Sequence, residues 1–341
     1  MSENCLIEIT RQASPLMMEM IDAFKKGYGS SSQETFLLTL ELDEYGRDET
    51  LYRLLRSGFN PEGKRGAILI SSPSTLYTKS VLTEHVHLLN SMGMTFPGIP
   101  YVEAIPGLMN MRNVVHQLHI SPKEALLRRC RDLGRRLSHY QPKPLEKLLV
   151  IHANSKPEQS NTMALFRRVE QYLKGIEVSV EIIREEIQDC RGCSYKACGY
   201  FNDTSGCFYG SVFNEAFLEK VTEYDAILWL APNYNDALSA KIMAIINRFS
   251  ALYKFSPFYD KSLYALIVSG NSGSDSVARQ LIGALCLNKG FSLPAKFYAH
   301  KIANDPGEIQ KHPDFDLVAR EFADRLNRCA KQAGSIHAIN L

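Results

Sequence analysis

The run from Ile151 to Leu165, IHANSKPEQSNTMAL, sets a short apolar segment before a loop of Asn, Ser, Lys, Pro, Glu and Gln. It then places Ser160, Asn161 and Thr162 at the opening of a helical pattern. A helix start offers unpaired N–H groups and a partial positive charge, and both favour a bound anion. Ser155, Ser160 and Thr162 add hydroxyl donors, and Asn161 adds an amide donor. Such a loop suits a terminal phosphomonoester, which presents three oxygens to be surrounded. The stretch has neither the GxGxxG of dinucleotide loops nor the GKS or GKT of nucleoside-triphosphate loops. A plain N-cap needs only one of these side chains, and Ser160 alone could fill that role.

Two more loops follow apolar runs. DAILWLAP leads into Pro232, Asn233, Tyr234 and Asn235, and SLYALIVSG leads into Ser269, Gly270, Asn271 and Gly273. A Pro/Asn cluster is by itself an ordinary turn signal, while glycine permits close backbone approach. Cys190, Cys193, Cys198 and Cys207 lie in CRGCSYKACGYFNDTSGC, with two, four and eight residues between them. Four thiolates can hold a [4Fe–4S] cluster or a zinc ion; without metal they are free thiols or a redox pair. The same loop carries Tyr195, Tyr200, Phe201, Phe208 and Tyr209, which suit either the cover of a ligand or the packing of a long loop. His152, inside an apolar run, reads as a core histidine. No nucleophile with an adjacent base stands out, which argues against a hydrolase.

The elements that must position these loops alternate strongly. KLLVIHA, EVSVEIIRE, DAILWLAP, SLYALIVSG and SLPAKFYAH read as strands. SNTMALFRRVEQYLKG, NEAFLEKVTEY, SAKIMAIINRFSALY, SVARQLIGALCLNKG and DFDLVAREFADRLNRCAKQ read as helices. Near-continuous apolar strands joined by helical crossovers argue for a parallel sheet covered on both faces. The first half repeats this grammar with strands at CLIEITR, ETFLLTLEL, RGAILISSP and PYVEAI. GAILISSPSTLY aligns with DAILWLAPNYND, and NSMGMTFPG with NKGFSLPAK, which suggests a duplication with one strand–helix step lost from the first copy. QPKPLEK, Gln141 to Lys147, reads as the linker.

Taken together and in this order, NSKPEQSNT, APNYNDALSAKIMAIINR and SGNSGSDS resemble the flavodoxin-like NADPH-dependent FMN reductase family, which neighbours the iron–sulfur flavoproteins. The resemblance runs from about Leu145 to Leu293. It implies two tandem flavodoxin-like, doubly wound parallel sheets in three-layer α/β/α form. Residues 1–140 would be a degenerate copy without a cofactor site, and residues 145–335 an FMN-binding domain. Ser155, Ser160, Asn161 and Thr162 would bind the FMN phosphate. Pro232, Asn233, Tyr234 and Asn235 would line the isoalloxazine, and Ser269, Gly270, Asn271 and Gly273 would form a third cofactor loop. The implied activity is an FMN-dependent oxidoreductase with NAD(P)H as co-substrate. It passes electrons to a quinone, an aromatic or nitro compound, a flavin or a protein, with chemistry at the flavin N5 and no dedicated catalytic side chain. Iron–sulfur flavoproteins carry their cysteine cluster at the same point, with two residues rather than four between the second and third cysteines. Family members pair as dimers, so the chain is expected to be a homodimer or a monomer whose first half stands in for the partner.

Composition narrows the classes. The 341 residues carry 45% hydrophobic and 22% charged side chains, enough for ordinary cores and ample for two domains. A net charge of +2 gives no reason to invoke nucleic acid, and RRCRDLGRR reads as a solvated helix face. No apolar run approaches the roughly 20 residues of a membrane span. Eight cysteines without an export signal fit a cytoplasmic protein with reduced thiols. Two other readings stand beside the reductase: an iron–sulfur flavoprotein electron carrier, and a non-enzymatic flavin or redox sensor or scaffold.

Overall fold

The computed structural model describes residues 5–8, 13–29, 34–154, 156–184, 186–194, 196–198, 200, 207, 209, 217, 220–250 and 258–331. The chain divides into two compact units. The first comprises Met1–Gln141 with Leu293–Lys296, and the second Pro142–Ser292 with Phe297–Leu341.

In the second unit five strands run parallel: β5 (Lys147–His152), β6 (Glu177–Ile182), β7 (Ala226–Pro232), β8 (Ser262–Ser269) and β9 (Tyr298–Ile302). Their spatial order is β6-β5-β7-β8-β9. Strand order reverses between β5 and β7, which makes their carboxyl ends the switch point of an open α/β sheet. The sheet is covered by α6 (Asn161–Glu170), α7 (Ala240–Arg248), α8 (Ser274–Leu281) and α9 (Phe315–Lys331). Alternation along each strand sorts side chains to two faces. Leu148, Val150, Leu228, Leu230 and Leu266 pack with Phe166 and Val169 of α6 and Phe322 and Leu326 of α9. On the other face Trp229 packs on Phe249, which also stacks on Phe291. Each of these fully buried large side chains contributes about 1.5–3 kcal/mol. The central strands therefore have no polar face, and only their ends are free for chemistry.

The first unit pairs β1 (Cys5–Glu8), β2 (Thr35–Glu41), β3 (Arg65–Ser71) and β4 (Tyr101–Ala104), all parallel, in the order β1-β2-β3-β4. Its helices are α1 (Pro15–Tyr28), α2 (Thr50–Arg56), α3 (Thr78–Ser91), α4 (Arg112–Leu118) and α5 (Pro122–Ser138). Met17, Ile21 and Phe24 of α1 and Leu126, Cys130 and Leu133 of α5 share one core with Leu37, Leu69 and Val102. The alternate strand residue Phe36 packs instead on Phe59, beyond α2. The order of this sheet is that of the second sheet with its edge strand β6 removed.

Two expectations shift. SLPAKFYAH is not a strand throughout: β9 begins at Tyr298. Leu293–Lys296 belongs to the first unit, where Leu293 and Phe96 exchange both backbone hydrogen bonds, at 2.7 and 2.9 Å. Pro294 has no N–H for a ladder, and Lys296 adopts a left-handed φ of 54°, so strand geometry cannot run through the segment. The helix expected over residues 214–224 lies largely outside the described residues.

Candidate functional site

Four loops meet at the carboxyl ends of the second sheet. The first, after β5, leads through a short 3-10 turn at Pro157–Gln159 into α6. Ser160 is the N-cap: its Oγ accepts from the Met163 N–H at 3.3 Å. The same Oγ lies 2.9 Å from His152 Nε2 and 2.8 Å from Thr162 Oγ1. All three residues are buried. The hydroxyls expected to face a phosphate are thus turned inward, onto the histidine at the end of β5. Asn161 is also engaged. Its Nδ2 donates to the Asp305 carbonyl at 2.9 Å, and its Oδ1 accepts from the Gly307 N–H at 3.1 Å. Asn161 and Thr162 remain the first two helical residues, whose own amides have no acceptor within the helix. Ser155 lies outside the described residues.

Burial pushes the His152 imidazole down to about 4, with Arg167 acting in the same direction. It is therefore neutral near pH 7. Its Nδ1 is buried without a hydrogen-bond partner, so the contact to Ser160 is its polar anchor.

The second loop follows β7 and is a two-residue hairpin turn. Tyr234 and Ala237 exchange backbone hydrogen bonds at 3.1 Å, while Asn235 and Asp236 take φ of 54° and 58°. Asn and Asp tolerate this left-handed region better than other residues with a Cβ, which accounts for the sequence at the tip. The turn leaves Tyr234 half exposed at 50%. Gln280 of α8 holds it from behind, accepting from Leu238 N–H at 3.0 Å and donating to the Asp236 carbonyl at 3.2 Å.

Asn233 binds this loop to the third. Its Nδ2 donates to Ser269 Oγ at 3.2 Å, to the Ser272 carbonyl at 3.1 Å and to Asp236 Oδ1 at 3.3 Å. Ser269 Oγ in turn lies 2.7 Å from Ser274 Oγ at the start of α8. Gly273 has φ of 93°, and a Cβ there would meet Asp236 Oδ1 at 1.9 Å, so the two loops close only over glycine. Gly270 and Asn271 are exposed on the rim.

The fourth loop, residues 303–308 after β9, was not singled out in the sequence. Glu308 gathers it by accepting from the Asn304 and Asp305 N–H groups at 2.6 and 2.9 Å. NDPGE reads as a turn, and nothing local reveals that Asn161 reaches it from 142 residues or more away. At the far edge Lys241 donates to the carbonyl of Arg184, beyond β6, at 3.1 Å. Pro232 closes β7 in register with Val268.

The four cysteines are described but not gathered. No group of three or more His, Cys, Asp or Glu side chains converges on one point among the described residues. Cys190 and Cys193 are exposed, and Cys207 Sγ accepts from Arg248 at 3.2 Å. Among the described residues this arrangement does not fit a cubane or tetrahedral site. The longer spacing between Cys193 and Cys198 already departed from the iron–sulfur pattern.

Residues 147–304 match the family described as NADPH-dependent FMN reductase. The match spans 158 of the 341 residues, all but Leu293–Lys296 within the second unit, and shows what this segment is similar to. The match is to an NADPH-dependent, FMN reductase-like oxidoreductase. Solved structures similar to the chain include RosB with a bound intermediate, OHC-RP (8-demethyl-8-formylriboflavin-5'-phosphate), at 18% identity and a TM-score of 0.43, covering 56% of this chain and 81% of that one. An NAD(P)H:quinone oxidoreductase from Methanothermobacter marburgensis is similar at 14% identity and a TM-score of 0.39, covering 55% and 95%. An azoreductase from Bacillus anthracis str. Sterne is similar at 14% and 0.39, covering 55% and 100%. No curated protein matches the chain. Among the described residues no helix is long and apolar enough to cross a membrane.

The second unit can be tested for fit to FMN. Asn233 Oδ1 is a buried acceptor without a partner, between two loops that its own amide nitrogen holds together. Beside it stand a helix start with free amides and a half-exposed aromatic ring. An orphaned acceptor, anion-seeking amides and an apolar cover suit a molecule with a ring N–H at one end and a phosphate at the other.

Proposed function

We propose that the second unit binds FMN across the carboxyl ends of β5, β7 and β8 and uses NAD(P)H to reduce a small-molecule acceptor of the quinone, azo or nitroaromatic class. The single observation that carries this reading is the Asn233 tie. It holds the loops after β7 and β8 together at the switch point, beside the start of α6, with a buried acceptor left over.

The roles divide by chemistry. The amides of Asn161 and Thr162 would take the phosphate, while His152, Ser160 and Thr162 fix the helix start behind them. Asn233 Oδ1 would accept from a ring N–H. Tyr234, exposed on its turn, would cover the ring and keep water from it. FMN, when bound, supplies hydride acceptance and donation at its own N5, so the protein's part is position and electrostatics. The quinone and azo reductases among the similar structures agree with this choice of acceptors, and a protein acceptor is the alternative.

The test is an absorption spectrum of protein purified without oxygen, with iron and sulfide assayed on the same sample. NADPH oxidation is then followed with menadione and with methyl red. The expected result is one FMN per chain, no stoichiometric iron, and turnover with at least one acceptor. Absence of flavin even after FMN is added would overturn the reading.

A further inference from the structure

The first unit has a cleft of its own at the carboxyl ends of its strands. It is about 580 Å³, within the range of about 300–1,000 Å³ seen for small-molecule sites. Leu42 and Glu41 end β2, Ser71 to Pro73 end β3, and Ala104 to Leu108 leave β4; Leu16 of α1 closes one side. Among the described residues the wall is mostly apolar and carries a single charged group, the Glu41 carboxylate.

Glu41 occupies the place where an anion would otherwise bind. Its Oε2 accepts from the Ser14 N–H at 2.7 Å, at the N-cap of α1, and its Oε1 accepts from Ser71 Oγ at 3.3 Å. The start of α1 therefore already holds a carboxylate, and a phosphate there would meet a like charge. Two oxygens offer about four lone-pair positions, of which the described residues use two. The free ones remain for donors from a ligand.

The β4 side is held in an unusual conformation. Leu108 takes φ of 49° and ψ of 38°, a left-handed geometry costly for a residue with a Cβ. The Leu108 N–H donates to the Ile105 carbonyl at 2.9 Å, and Asn110 donates to the Glu103 carbonyl at 2.8 Å, which keeps the loop folded back over the cleft. Strain of this kind persists where surrounding contacts over-determine it.

We propose that this cleft is a second ligand site, built for a compact apolar molecule bearing an ammonium group, of the arylalkylamine class, and closed to phosphate esters. The apolar wall takes the ring, and Glu41 takes the charge. This inference is independent of the FMN reading of the second unit.

The probe is tryptamine, titrated calorimetrically into the full-length protein as purified. Indole-3-propionate serves as the probe of inverted charge. Tryptamine is expected to bind at one site, and indole-3-propionate at least tenfold more weakly. Glu41→Gln keeps the hydrogen bond to Ser14 but removes the charge, and is expected to weaken tryptamine at least tenfold. Ile105→Trp fills the cleft from its rim and is expected to abolish tryptamine binding while leaving FMN content and the circular dichroism spectrum unchanged. Equal affinity for the two probes, an unchanged affinity in either folded variant, or no binding of tryptamine to the parent protein would each overturn the proposal.

Discussion

Asn233 and His152 act on the site from opposite ends, and each has a measurable signature. The Asn233 amide makes three hydrogen bonds that close the loops after β7 and β8. Asn233→Ala removes all three and the orphaned acceptor beside them. FMN affinity is expected to fall at least about tenfold, or about 1.4 kcal/mol, as followed by flavin fluorescence quenching. An unchanged affinity would mean that the cofactor loops do not depend on this tie. His152 is neutral in the folded protein with its pKa lowered to about 4, against an ordinary 6.5. The unfolded chain binds the proton more readily, so this residue costs nothing above about pH 6.5. It costs progressively more as pH falls toward 4. His85 and His300 are lowered by burial as well, so the diagnostic quantity is a difference. His152→Gln is expected to lose less stability than the parent between pH 6.5 and pH 4, read from urea midpoints. Parallel pH profiles would show that the imidazole is protonated without penalty.

At the scale of elements, the turn after β7 shows how local chemistry was legible. Asn235 was expected in a cofactor loop, and Asn and Asp are the residue types that tolerate the left-handed backbone this hairpin adopts at Asn235 and Asp236. Asn235→Val places a β-branched side chain at φ of 54° and is expected to cost about 1–2 kcal/mol in chemical denaturation. Asn235→Gly should be nearly neutral. The loop after β5 was legible in place but not in orientation. SNT at a helix start reads as phosphate donors or as a cap, and His152, eight residues upstream of Ser160 at the end of the strand, turns the Ser160 hydroxyl inward. The 303–308 loop was illegible for a related reason. Its partner Asn161 lies in a different crossover, and no periodicity records a contact between them.

For the whole molecule, the parallel sheet of the second unit was the most legible feature, because five apolar runs alternate with helical crossovers; the order of its strands was not. In the first unit the four strands were legible, but the sequence did not say in what order they pair. It also gave no sign that Glu41 would seat itself at α1, since a glutamate ending a strand is unremarkable until its neighbours are known. The linker at Gln141 was expected to separate the halves. The first unit nevertheless includes Leu293–Lys296. Asn90, itself buried, donates to the Pro294 carbonyl at 2.8 Å and to Met94 at 2.9 Å. Asn90→Ala is expected to destabilise the first unit by about 1–3 kcal/mol. Intrinsic fluorescence cannot isolate this, because the one tryptophan, Trp229, lies in the second unit. Hydrogen exchange of the β2 and β3 amides can, and unchanged protection there would remove Asn90 from the account.

The Leu293–Lys296 excursion also bears on how the protein is made. A ribosome releases the first 141 residues long before it reaches Leu293, so the nascent first unit must wait, lacking its final bridge to Phe96, while the second unit is being translated. During that interval the main-chain donor and acceptor of Phe96 remain open to other partners, including neighbouring nascent chains. Synthesis rate and chaperone supply should therefore govern yield more strongly here than in a protein whose units are contiguous in sequence.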